Sequence, residues 1–204
     1  DADMRRAVNA TPGLSAVSLW HKDADLRGVD AVLLPGGFSF GDYLRCGAIA
    51  RFSPVMGEVA RFAAQGRPVI GVCNGFQILC EAGLLPGVLL RNEGLKFICA
   101  DVHLRAEGRA NVFVPPLAQP ARIPIAHAEG RWYAEEDTVA RMADAGQLVL
   151  RYVTASGQPG GNPNGAVADV AGVCNEAGNV VGLMPHPERA VEPLQGGTDG
   201  LAFF

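Results

Sequence analysis

The sequence predicts an α/β domain: a doubly wound, mostly parallel sheet with helices on both faces and antiparallel strands added at one side. Two observations lead to this class. Short continuous apolar runs at 31–34 and 69–72 are typical of buried parallel strands, and each ends in a glycine-containing turn. Helical patterns with clear start and stop signals follow these runs, and such alternation favours a doubly wound sheet.

The helices of the first half are bounded by recognisable signals. Residues 3–10 predict a short helix that ends at Thr-Pro-Gly, and 16–20 predict a strand. A second helix begins at Ser53 and Pro54, because serine is a favourable N-cap and proline suits the first helical position; it ends at Gly66. A third helix spans 76–81.

The second half is richer in strands. We expect strands at 97–104, 112–114, 123–127 and 148–153, a helix at 135–145, and a hairpin formed by 172–175 and 179–184. No repeat or long linker divides the chain, which predicts one domain over 1–204. Since doubly wound sheets commonly begin with a strand and this sequence begins with a helical pattern, we expect an N-terminal strand to be absent from it.

The composition excludes several classes of protein. Of the 204 residues 49% are hydrophobic and 19% charged, which suits a packed core and not a disordered chain. The net charge is −4 and no run of Lys or Arg occurs, which argues against nucleic acid and membrane surfaces as partners. The five cysteines form no C-x-x-C pair, and an odd, unpatterned set is typical of a reducing, cytoplasmic setting.

Residues 71–75 match the pattern G-x-nucleophile-x-G between a predicted strand and a predicted helix. This is the context of a nucleophile elbow, a strained turn that presents the central side chain, here Cys73. The N-terminus of the following helix favours the thiolate, and the N–H of Asn74 would face an oxyanion. The alternative for Cys73 is a structural cysteine beside a tight turn. We expect Cys80, inside the predicted helix, to be a core residue, and Cys46, Cys99 and Cys174, which carry no motif, to be core or loop residues.

A histidine and a glutamate lie between prolines near the end of the chain. Pro185 and Pro187 favour an extended backbone, in which His186 and Glu188 project to the same side. A cysteine nucleophile needs an imidazole and an orienting acid, and this pair supplies both. The alternative is a rigid loop in which Glu188 pairs with Arg189 or with solvent. No residue pair has convincing metal-ligand spacing, so we expect no metal site.

The Pro-Gly-Gly turn at 35–37 follows a buried strand, as Cys73 does. Both strand ends open into one crevice of a doubly wound sheet, so the Gly37 N–H is our candidate for the second oxyanion donor. The alternative is an ordinary tight turn. Asp42, Tyr43 and Arg45 follow in a polar loop that could line a partner surface.

Together these motifs resemble the class I, triad-type glutamine amidotransferases. The hallmarks are the elbow at 71–77 and the His-Pro-Glu at 186–188. Further segments are similar to the branch of that family that serves purine biosynthesis, and they lie at 33–47, 91–94, 162–165 and 182–189. The resemblance covers nearly the whole chain.

The resemblance implies residue roles and partners. Cys73 would be the nucleophile, His186 the acid and base, Glu188 the orienting acid, and Gln77 would help to hold glutamine. Ammonia would pass to a separate synthetase subunit that uses ATP and Mg²⁺, in a complex with a small bridging subunit. No G-x-x-x-x-G-K-[ST] motif is present, so we expect the ATP chemistry in the partner and no cofactor in this chain.

Three other classes of protein share part of this pattern. A hydrolase of the α/β-hydrolase type also uses an elbow, but its acid precedes the histidine, whereas Glu188 follows His186. A peptidase or chaperone with histidine directly after the elbow cysteine is disfavoured by Asn74. A non-catalytic module with a decayed site is disfavoured because the whole triad is present. For His127 we expect a structural or interface role.

Overall fold

A computed structural model describes all of residues 1–204. Its helices are α1 (Ala2–Ala10), α2 (Pro54–Ala64), α3 (Asn74–Glu81) and α4 (Glu136–Asp144). Its strands are β1 (Val32–Leu34), β2 (Val69–Val72), β3 (Val88–Leu90), β4 (Ile98–Ala106), β5 (Ala121–His127), β6 (Arg131–Tyr133), β7 (Leu148–Val153), β8 (Val170–Cys174) and β9 (Val180–Leu183). No helix is long and apolar enough to span a bilayer.

Seven of the strands form one sheet in the order β1-β2-β9-β8-β7-β4-β5. The β1–β2 and β2–β9 pairs are parallel, and every pair from β9 to β5 is antiparallel. Consequently β1, β2, β9, β7 and β5 run in one direction and β8 and β4 in the other. The predicted α/β class with antiparallel additions at one side is confirmed.

Helices cover both faces of the parallel part. Side chains alternate along a strand, and a Cβ added at Gly71 of β2 would lie 2.5 Å from Gly75 in α3. The neighbouring positions, Ile70 and Val72, line a cavity together with Met56 of α2. Helices α2 and α3 therefore pack against opposite faces of β2.

The register brings three strand ends to one edge of the sheet. Leu34 of β1 pairs with Gly71, and Val72 of β2 pairs with Leu183 of β9. Because these strands are parallel, the residues that follow each of them emerge side by side at this edge. They are the Pro-Gly-Gly turn, Cys73, and the segment that leads to His186.

Two predicted strands are wrong. Residues 16–20 have no strand partner, because an apolar cavity of about 1000 Å³ separates them from the free edge of β1. Residues 112–114 form a bend, because the Asn111 side chain accepts hydrogen bonds from the N–H groups of Phe113 and Val114 and so replaces a strand ladder. The small two-stranded sheet of β3 and β6 was not predicted, since each strand has only three residues.

Candidate active site

Cys73 lies on a strained turn between β2 and α3. Its backbone has φ 50° and ψ −105°, a conformation that non-glycine residues rarely adopt. The flanking glycines are required by close packing, since a Cβ at Gly75 would lie 2.0 Å from the carbonyl oxygen of Leu34. The elbow geometry expected at this position is therefore present, with the sulfur at the carboxyl end of β2.

The other cysteines differ from Cys73 in their surroundings. None of the five is in a disulfide. Burial raises the pKa of the Cys80 thiol, and burial together with Glu129 and Asp42 raises that of Cys46. Burial also raises the pKa of the Cys174 thiol. The thiolate is disfavoured at these three positions, and Cys99 is exposed on β4, away from any elbow.

Asn74 and Gln77 form a buried pair on the first turn of α3. The Asn74 amide donates to Gln77 Oε1 at 2.9 Å, and its oxygen accepts the Ser39 N–H at 3.3 Å. The Gln77 amide in turn donates to the carbonyl of Glu129 at 2.7 Å. The backbone N–H of Asn74 has no acceptor within the helix because it lies at the N-terminus. This leaves it available to an oxyanion beside Cys73.

His186 and Glu188 are in contact. His186 Nδ1 lies 2.6 Å from Glu188 Oε1, with the side chains 2% and 0% exposed. Glu188 Oε2 makes no hydrogen bond, so the imidazole is the only polar partner of this carboxylate. Pairing of Glu188 with Arg189 or solvent is excluded, because Arg189 lies 3.5 Å from Asp3 instead.

The backbone that carries this contact is not extended. An extended segment was expected to carry both side chains, but Pro187–Arg189 forms one turn of 3₁₀ helix. His186, which precedes this turn, is outside the helical region, with φ −106° and ψ 83°. The Pro187 ring suits the first position of a helical turn, and this turn folds Glu188 back onto the imidazole.

The site shifts the protonation of His186. Burial pushes its pKa down, but hydrogen bonding and charge from Cys73 and Glu188 outweigh burial and raise the pKa to about 9. His186 Nε2 is buried and has no hydrogen-bond partner. At neutral pH the imidazolium form is therefore favoured, with one N–H directed to Glu188 and the second available to Cys73 or a substrate.

The Pro-Gly-Gly turn lies against the side chains of Cys73 and His186. A Cβ at Gly36 would lie 2.5 Å from His186 Cε1 and 3.6 Å from Cys73 Cβ, so all three residues meet at one point. Gly37 is exposed, has φ 155°, and its N–H makes no hydrogen bond within the chain. This N–H is thus free for a ligand. No three His, Cys, Asp or Glu side chains are grouped to hold a metal ion.

One wall of the site was not predicted. It is the end of β5 and the turn that follows, residues 124–130. The carbonyl of Pro124 accepts the His186 N–H at 2.8 Å, the carbonyl of Ala126 lies 3.8 Å from Cys73 Sγ, and the carbonyl of Glu129 holds Gln77. These contacts are made by backbone oxygens, which leave no mark in a residue pattern.

His127 is buried in that wall. Its Nδ1 lies 3.0 Å from Asn92 Oδ1, and its Nε2 has no partner. Burial and the nearby charge of His186 lower the pKa of His127 to about 4. The residue is therefore neutral at physiological pH.

This pKa predicts acid sensitivity. Between pH 6.5 and 4, His127 is protonated in the unfolded chain but not in the folded protein. The free energy of unfolding therefore falls as the pH falls, by about 3 kcal/mol in total. We expect His127→Gln, which retains an amide donor for Asn92, to flatten this dependence. Denaturant unfolding at several pH values measures it, with His103→Gln as the control. Equal slopes for the wild type and His127→Gln would contradict the assignment.

Comparison with known proteins places the chain in a family. The model of the CobB/CobQ-like glutamine amidotransferase domain matches residues 3–198. The chain therefore belongs to the glutamine amidotransferases, which are enzymes, and the α/β-hydrolase and decayed-module alternatives are set aside.

Two curated relatives and one solved structure identify the branch of the glutamine amidotransferases to which the chain belongs. Phosphoribosylformylglycinamidine synthase subunit PurQ of Salinibacter ruber is 54% identical over 208 residues, which cover 100% of this chain and 88% of that protein. Subunit PurQ of Thermus thermophilus is 54% identical over 206 residues, covering 100% of this chain and 90% of that protein. A solved structure titled "Structure of PurLQS from Thermotoga maritima" matches with a TM-score of 0.86 and 43% identity, covering 100% of this chain and 89% of that one. Within the amidotransferases, the chain thus belongs to the PurQ family.

Proposed function

We propose that the chain is the glutaminase subunit of a phosphoribosylformylglycinamidine synthase and that it frees ammonia from glutamine through a thioester on Cys73. The observation that best supports this role is the meeting of Cys73, His186 and Gly36 at one point of the sheet edge. A nucleophile on an elbow, an imidazole oriented by a buried carboxylate, and free N–H groups are the parts that acyl transfer needs.

The first half-reaction forms the thioester. The Cys73 thiolate attacks the carboxamide carbon of glutamine, and the N–H groups of Asn74 and Gly37 hold the oxygen that becomes negative. As the C–N bond breaks, His186 gives its proton to the departing amide nitrogen, which leaves as ammonia. Gln77, fixed by Asn74 and Glu129, is placed to hold the amino acid portion of the substrate.

The second half-reaction releases glutamate. His186, now neutral, takes a proton from water, and the hydroxide attacks the thioester carbon. The C–S bond then breaks, which restores the Cys73 thiolate and the imidazolium. Glu188 stabilises the imidazolium formed in this step, as the acid of a triad does.

Ammonia then passes to a synthetase subunit that uses ATP and Mg²⁺ to amidate formylglycinamide ribonucleotide, in a complex completed by a small bridging subunit. The five free thiols are consistent with a cytoplasmic setting. The test is to combine the chain with its synthetase and bridging subunits and follow both products. Glutamate and amidated nucleotide should appear in equal amounts, and glutamine use without amidation would contradict the proposal.

The mouth of the site carries a surface suited to the synthetase. Two loops beside Gly36 expose large apolar side chains, here called the aromatic rim: Phe38, Phe40, Tyr43, Leu44, Leu95 and Phe97. The rings of Phe38 and Phe97 lie 6.4 Å apart and join the two loops into one surface. An exposed apolar surface of this kind is typical of a protein-binding site, and a partner bound there would keep ammonia from bulk water.

The charges around the rim define the partner's chemistry. Arg45 and Arg91 pair with Glu81 and Glu129, but the arginine side chains are 58% and 76% exposed while the carboxylates are 7% and 16% exposed. The surface around the rim therefore presents guanidinium groups although the whole chain is acidic. A synthetase surface with an apolar pocket and acidic edges would be complementary to it.

Substitution at the rim should weaken assembly. Leu95 is 76% exposed and has φ 54°, which aspartate tolerates well. We expect Leu95→Asp to raise the Kd for the synthetase about tenfold or more, because it places a charge in an apolar contact. The control is Val112→Asp. Val112 is 75% exposed and lies at the opposite end of the sheet, so this substitution should leave the Kd for the synthetase unchanged. Equal Kd values for the two variants would exclude the rim as the contact.

A further inference from the structure

Two buried asparagines hold the backbone turn that forms the unpredicted wall of the site. Asn92 and Asn164 are 0% and 2% exposed, and they come from different loops. Asn92 Oδ1 accepts the Gly130 N–H at 3.0 Å, and the Asn164 amide donates to the Gly130 carbonyl at 2.9 Å. Both polar groups of one glycine are therefore bound by side chains from opposite sides.

Asn92 uses its whole hydrogen-bonding capacity there. Its amide donates to the carbonyls of His127 and Lys96 at 2.9 and 2.8 Å, and its oxygen accepts from Gly130 and lies 3.0 Å from His127 Nδ1. Its backbone N–H donates to the Ala128 carbonyl. Because Asn92 Oδ1 can only accept, His127 must carry its proton on Nδ1, so the asparagine also sets the tautomer of this buried histidine.

The two loops are joined to each other as well. The Glu93 N–H donates to the Asn164 carbonyl at 3.0 Å, and Arg131 donates to the Gly165 carbonyl at 3.1 Å. Gly130 itself has no room for a side chain, since a Cβ would lie 2.3 Å from the His127 ring. The sequence segments 91–94 and 162–165, which carry no residue of the triad, therefore converge on one turn.

That turn carries the contacts that shape the substrate pocket. The Glu129 carbonyl fixes the Gln77 amide, and the Ala126 carbonyl lies beside Cys73 Sγ. We propose that Asn92 and Asn164 are positioning residues for glutamine: they hold Gly130, and through it set Gln77 and the wall opposite Cys73. The inference rests on the proposed glutaminase function and adds to it the residues that shape the pocket.

The test uses Asn→Asp substitutions, which keep the shape of the side chain but replace its amide donors by a carboxylate oxygen and add a negative charge; the control substitution below adds the same charge. Asn164→Asp keeps an oxygen for the Ala166 N–H but loses the bond to the Gly130 carbonyl, and Asn92→Asp loses both of its donations. We expect Asn164→Asp to raise KM for glutamine about tenfold in the assembled enzyme, the equivalent of one lost hydrogen bond, and Asn92→Asp, which loses two, to raise it at least as much. The ammonia-dependent rate should not change. The double variant should raise KM for glutamine by less than the product of the two single increases, because both asparagines hold the same turn.

Asn179→Asp is the matched control. Its amide also donates to two carbonyls, those of Ala63 and Arg67, but it lies at the end of the sheet opposite Cys73. It should lower Tm without changing KM for glutamine. The proposal is overturned if Asn92→Asp and Asn164→Asp behave as the control does and lower Tm with no change in KM for glutamine. It is also overturned if neither variant folds, since both results assign the asparagines to stability. Failure of the proposed function would appear separately, as a wild-type complex that does not use glutamine.

Discussion

Replacing Cys73 with serine should abolish glutamine-dependent synthesis by the assembled enzyme, by a factor of about 10⁴ or more in kcat, while ammonia-dependent synthesis continues. The serine hydroxyl has nearly the size of the thiol, so the turn with φ 50° should persist. However, it does not ionise near neutral pH and therefore cannot accompany the His186 imidazolium as a nucleophilic anion. Initial rates with glutamine and with ammonium salts, measured on the same preparation, give the comparison.

Cys80→Ser is the matched control for this variant. Cys80 lies in the same helix, with its Sγ 3.8 Å from the carbonyl of Pro86, and serine places a side chain of nearly the same size there. We expect both activities to persist in it, because the thiol is not at the elbow. Normal glutamine use by Cys73→Ser would exclude the thioester mechanism.

Replacing Glu188 with glutamine should lower kcat/KM for glutamine by about 10²- to 10⁴-fold, the range found when the acid of a triad loses its charge. The amide keeps the shape of a side chain that is 0% exposed and lies 2.6 Å from His186. Without the carboxylate, burial is opposed by Cys73 alone, so the pKa of His186 should fall below about 9. A smaller fraction of His186 would then be in the imidazolium form that protonates the departing amide nitrogen.

The pH dependence of this variant separates charge from packing. In the wild type, kcat/KM for glutamine should decline above about pH 9, where His186 loses its proton; in Glu188→Gln the decline should begin at a lower pH. Normalising to the rate at a fixed concentration of free NH₃ removes the contribution of the synthetase. Glu192→Gln, four residues on and paired with Arg6, should behave as the wild type does. An unchanged profile in Glu188→Gln would show that Glu188 does not orient His186.

The parts of the site that could be predicted are those that local sequence determines. The elbow is visible because a strained turn needs glycines on both sides of Cys73, where a Cβ would strike backbone. The contact of His186 with Glu188 depends on one rigid turn of chain. The parallel strands were predicted correctly because burial on both faces requires unbroken apolar runs.

The parts that could not be predicted depend on contacts between distant segments. Residues 16–20 have the pattern of a strand but no neighbouring strand to pair with. A β-strand requires backbone hydrogen bonds to a partner strand, and a local pattern does not show whether one is present. The bond from Gln77 to the Glu129 carbonyl spans 52 positions. The hydrogen bonds from Asn92 and Asn164 to Gly130 join three loops, and no residue spacing within any one loop predicts them.

The central claim is that glutamine is cleaved through a bond to one particular sulfur. Its most direct test is the intact mass of the chain after acid quenching of the assembled enzyme during glutamine turnover, followed by peptide mapping. We expect one γ-glutamyl group per chain at most, located on the peptide that contains Cys73 and removed by hydroxylamine, as a thioester is. Steady turnover with no adduct, or an adduct on Cys46 or another cysteine, would contradict the mechanism.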